Sequence, residues 1–94
     1  MDTDQIVALA KESLGIRSSV RDTLLKAITD GVVKELKDEK GLVLDGANPH
    51  HLLFVTDYVA WRYQSRDSSG TIPRHLQFRM HNLMIHTRGG GGSS

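Results

Sequence analysis

The chain has no cysteine. That excludes a disulfide scaffold, a thiolate metal site and a cysteine nucleophile. Long apolar runs are also missing, so no membrane-spanning segment is expected. The opening MDTDQ is acidic and lacks an apolar core, so it does not read as a signal peptide. Prolines number two and aromatics five in 94 residues. The net charge of +1 gives no global drive toward nucleic acid or membrane. A chain of this length forms one domain and buries roughly two-thirds of its unfolded surface. The expectation from these bounds is a soluble, intracellular helical domain.

What is present centres on Asn48 to Arg66, NPHHLLFVTDYVAWRYQSR, which reads as one helix. Asn48 suits an N-cap and Pro49 the first turn. At 100° per residue, Leu52, Val55, Thr56, Val59, Ala60 and Tyr63 share a broad face, with Leu53 at its edge. Opposite them lie Phe54, Tyr58 and Trp61, three of the five aromatics. A helix apolar on both sides is either central to the domain or buries its second face against another chain.

Three further helices are predicted. The first runs from about Asp4 to Leu14, capped by Thr3 or Asp4, with Gly15 placed as a C′ glycine. Its stripe is Ile6, Leu9, Ala10 and Leu14. Ser19 then caps a second helix, Val20 to Leu36, with Asp22 completing a weak capping box. Val20, Leu24, Ala27, Ile28, Val32 and Leu36 form its apolar face, and Gly31 within that face suggests close helix packing. Leu42-Val43-Leu44 is too short for a strand. It reads as a segment that plugs the core or pairs with a neighbouring chain. After a loop at Asp67–Gly70, Pro73 starts a fourth helix that runs to about Thr87. Leu76, Met80, Leu83 and Met84 are its core stripe. Phe78 and Ile85 sit on its back between rows of arginine and histidine. Residues 1–88 thus read as a single all-α domain of four helices with short loops. Gly89–Ser94 is a flexible Gly/Ser tail.

Catalytic and metal chemistry find little footing. His50 and His51 are adjacent and point about 100° apart on a helix, and His75 and His86 lie three turns apart, so neither pair chelates one ion. No nucleophile elbow, flanked carboxylate pair or phosphate-cradling glycine motif occurs. No enzyme activity, metal or cofactor is expected. Arg74, Arg79, Arg88 and three histidines make the fourth helix basic, a surface able to touch phosphates. A small helical DNA-binding or regulatory protein is therefore an alternative reading.

Charge divides the chain. Residues 1–48 hold seven Lys/Arg against nine acids, whereas residues 49–94 hold five Arg against two acids. An acidic half and a basic half suit head-to-tail self-association. The order of elements adds a resemblance. A short first helix ends Leu14-Gly15-Ile16, and a long helix follows. Then come Asp57-Tyr58-Val59-Ala60-Trp61-Arg62-Tyr63, a loop, Pro73-Arg74-His75-Leu76-Gln77, and Leu83 near the end of the last helix. Over residues 3–87 this pattern resembles the head–tail connector (adaptor, or head-completion) proteins of tailed bacteriophages.

The resemblance implies an all-helical, non-enzymatic protein of the virion neck, present in the host cytoplasm during assembly. It implies a homo-oligomeric ring, typically twelve-fold, beneath the portal protein. The ring extends the DNA channel and meets a stopper or tail-proximal neck protein. Under this reading Phe54, Tyr58, Trp61, Phe78 and Ile85 are candidates for inter-subunit or core packing. Arg62, Arg66, Arg74 and Arg79 are candidates for contact with the portal or the channel DNA. Gly89–Ser94 carries no anchoring side chain, so a docking tail of the family's kind is missing or replaced here.

Overall fold

A computed structural model describes residues 1–66 and 71–85. Its regular elements are four helices: α1 (Thr3–Leu14), α2 (Asp22–Asp38), α3 (Pro49–Gln64) and α4 (Arg74–Met84). The all-α reading holds. The Asp67–Gly70 loop, the end of the fourth helix at Thr87 and the Gly89–Ser94 tail lie outside the described residues.

Local chemistry sets the helix ends. Asp2, rather than Thr3 or Asp4, caps α1 and accepts from the Asp4 and Gln5 amides. Gly15 sits at φ 73° in the left-handed region. The Ile16 amide returns to the Lys11 carbonyl and the Gly15 amide to Glu12, which is a Schellman closure. Asn48 caps α3 through its side chain to the His50 amide, as its position before Pro49 predicts. The capping box at α2 does not form. Arg21 is the cap and its side chain accepts no amide. Asp22 instead binds Lys11 across the α1–α2 interface at 2.7 Å, so its carboxylate is spent on a tertiary contact. Val20 precedes the helix and is 83% exposed.

The α2 stripe differs from the expected one for a related reason. Leu25, Thr29, Val32 and Leu36 are buried, while Ala27 and Gly31 face solvent. Of the expected stripe, Val32 and Leu36 are buried and Ile28 packs against the core, whereas Val20 lies outside the helix. Thr29, polar in sequence, enters the core because its hydroxyl donates to the Leu25 carbonyl at 2.8 Å. A Cβ built on Gly31 meets nothing within 4 Å, so this glycine does not serve close packing. After α2, Gly41 at φ 69° reverses the chain. The Leu42 amide then bonds the Leu36 carbonyl at 2.9 Å, and Leu42 drops into the core. Its neighbour Val43 points out. Leu44 packs against the core beyond it, so the segment is the core plug of the two expected roles.

The central place of α3 is borne out. α1 and α2 pack on each other and on α3, while α4 packs on α3 alone. Val55 and Val59 are buried on one side of α3, and Phe54 and Tyr58 on the other. Leu53 faces solvent. Ile6, Ala10, Leu25, Leu36, Leu42 and Leu76 complete the core around them. Fully burying a side chain of this size stabilises by about 1.5–3 kcal/mol, so α3 is the main source of cohesion. The fourth helix presents Leu76, Met80, Leu83 and Met84 to the core, as the periodicity predicts.

Candidate interaction face on α4

Aromatic and cationic groups of α3 and α4 meet on one side of the molecule. Phe54 and Tyr58 are one turn apart on α3, and their rings meet edge-on at 5.8 Å. Tyr58 and Trp61 make a second edge contact at 5.6 Å. Phe54 and Tyr58 are at most 1% exposed. They are therefore core residues, not partner contacts, because α2 and α4 already cover this face of α3. Trp61 is half-buried and packs against the core from its rim.

The arginines divide by what they already hold. Arg62 donates to Glu35 Oε1 at 3.0 Å, and the Tyr58 hydroxyl donates to Glu35 Oε2 at 3.3 Å. The Arg62 guanidinium also lies 5.5 Å from the Tyr58 and Trp61 ring centres. Burial, and then the Glu35 charge, push the Tyr58 hydroxyl above its ordinary pKa of 10.0 against the pull of Arg62. For Arg62, burial acts to lower the value, but the bonds to Glu35 and Tyr58 outweigh it and hold the guanidinium more firmly charged. Arg79 bridges α4 to α3 through Asp57 at 2.6 Å and lies 5.6 Å from the Phe54 ring centre. Arg66 folds back on its own helix, donating to the Tyr63 carbonyl and stacking 4.2 Å from the Tyr63 ring centre. Arg74 stands exposed at the start of α4, and neither it nor Arg66 has an ion-pair partner among the described residues.

The outward side of α4 differs from α3. Phe78 is 63% and Ile85 51% exposed. They lie seven residues apart, which places them two turns apart on one stripe. Between the stripe and the end of α3 runs an open groove of about 830 Å³, reached by Trp61, Ile72, Met80 and His81. Lys40, two residues beyond α2, also lines it.

Several of these residues carry no sequence signal for the role they have. Glu35 holds Arg62 across 27 positions, and no local pattern announces such a pair. His51 is buried, and its Nδ1 accepts the Asp45 amide at 2.9 Å. It thereby fastens the α2–α3 connection. Among the described residues no cluster of three or more His, Cys, Asp or Glu is placed to hold a metal ion. Among them, too, no helix is long and apolar enough to cross a membrane.

No family model, curated protein or solved structure matches the chain.

Proposed function

We propose that this protein is a non-enzymatic assembly module of the head–tail connector kind. It joins copies of itself into a ring, typically of twelve, beneath the portal of a phage head. There it extends the DNA channel and offers a platform to the next neck protein. The observation that carries the assembly reading is the Phe78–Ile85 stripe on the outside of α4. A scattered exposed apolar residue is ordinary, but two stacked large ones on a helix already anchored from its other side form a contact surface. The choice of a phage neck among assembly proteins is supported by the resemblance of Asp57–Tyr63 and Pro73–Gln77. The acidic first half and basic second half suit head-to-tail contacts between copies.

The DNA-binding alternative is less well supported. Arg62 and Arg79 are paired with carboxylates of their own chain, which leaves fewer cations for phosphates.

The test is particle mass by light scattering, for the chain alone and after mixing with the portal protein encoded alongside it. A connector adds a multiple of 10.4 kDa to the portal ring. A chain that ignores the portal at every ratio contradicts the reading.

A further inference from the structure

We propose that the groove beside α4 is a receptor for an acidic amphipathic helix, bound by its apolar face and gripped at its flanks by Lys40 and Arg74. This deepens the assembly reading, on which it rests, by naming the chemistry of what docks on that side of the molecule.

The groove has the size and lining of a recognition site. Its volume of about 830 Å³ lies within the ~300–1,000 Å³ usual for ligand clefts. Trp61, Ile72, Phe78 and two methionines, Met80 and Met84, give it an apolar floor. Methionine is unbranched and polarizable, and it adapts to differing apolar partners. The groove also holds Lys40, Arg74 and His81, and among the described residues no carboxylate lines it.

The other two cavities differ in kind. The one between α1 and α2 sets Asp4, Glu12 and Asp22 beside Lys11 and Lys26, so its charges answer one another. The one near His50, His51 and Asn82 is half the size, and its one arginine, Arg79, already holds Asp57. Among the described residues, the groove beside α4 sets two cations without an ion-pair partner, Lys40 and Arg74, on an apolar bed.

This pattern selects its occupant. Apolar anchors at i, i+3, i+4 and i+7 fill a groove of this kind. Carboxylates on the flanks of such a helix meet Lys40 and Arg74, and a basic helix is repelled by both. The chain's own segments outside the described residues do not fit. Residues 86–94, HTRGGGGSS, hold no carboxylate and no large apolar side chain, and residues 67–70, DSSG, hold no apolar anchor.

Trp61 is the only tryptophan and lines the groove, so its fluorescence reports occupancy directly. The probe is a synthetic amphipathic helix of about four turns, with Leu and Phe anchors and Glu flanks. Its twin carries Lys at every Glu position. The full-length protein is titrated with each. The expected result is saturable change of Trp61 emission with the Glu peptide and none with the Lys twin at equal concentration. Lys40→Glu with Arg74→Glu, checked for unchanged helicity, then weakens the Glu peptide roughly tenfold or more and admits the Lys twin. Equal binding of the twins overturns the proposal, as does failure of both. Tighter titration of the same signal by duplex DNA overturns it in favour of a nucleic-acid site. Portal binding, read by mass without peptide, is scored separately. The assembly reading can therefore fail while the groove binds, and the reverse.

Discussion

Arg62 of α3 and Glu35 of α2 are joined at 3.0 Å, and the Tyr58 hydroxyl shares the same carboxylate. This three-membered contact pins α2 to the aromatic side of α3. Replacing Glu35 with Ala strands a half-buried guanidinium and a buried hydroxyl. The expected loss is about 1–3 kcal/mol of stability. A Glu35→Ala/Arg62→Ala cycle read by urea denaturation should show coupling of about 1 kcal/mol. Additive losses would mean that the pair is not energetically joined.

The same contact predicts an alkaline dependence. The folded-state value of Tyr58 lies above 10.0, so the unfolded chain releases this proton first. Stability that is fully present below pH 10 therefore falls as pH rises through the folded-state value. Tyr58→Phe should lower stability by about 1 kcal/mol near neutral pH and should flatten this alkaline decline. Parallel pH profiles for the two proteins would contradict the assignment.

Gly31 lies in the interior of α2 with open space where its side chain would be. Gly31→Ala should raise stability by about 0.5–1 kcal/mol, measured as an increase in the urea midpoint at unchanged slope. A loss of stability would restore the close-packing role that its place in the sequence suggests.

How far the sequence reveals this fold depends on how local each cause is. The Gly15 closure, the Asn48-Pro49 start and the Leu76–Met84 stripe are local, and each is readable without coordinates. The two-faced apolar pattern of α3 correctly implies a central helix. It does not say whether Phe54 and Tyr58 meet their own chain or another, because periodicity records a face and not its neighbour. The α2 stripe departs from its apolar pattern where a threonine satisfies itself on its own helix. Asp22 pairs with Lys11 instead of completing a cap on α2. In the candidate face, Phe78, Ile85 and Arg74 stand out from sequence. Lys40, Glu35 and His51 enter only through contacts that the tertiary fold creates.

Phe78 and Ile85 do little for the isolated fold, since both are more than half exposed. Phe78→Ser with Ile85→Ser should change unfolding stability by about 0.5 kcal/mol or less while weakening assembly on the portal strongly. Trp61→Ala should do both kinds of harm, because Trp61 packs on the core and lines the groove. A double serine variant that assembles like the parent would remove the stripe from the interface.

The most direct test uses the absence of native cysteine. His81 is exposed and lies between Phe78 and Ile85 on α4. A His81→Cys variant therefore carries one thiol at the centre of the face, and its maleimide labelling rate can be followed in the free chain and in the portal-bound particle. Rapid labelling when free and strong protection in the particle are the predicted results. A thiol that labels equally fast in both states, in particles whose mass shows the chain is bound, would contradict α4 as the docking face.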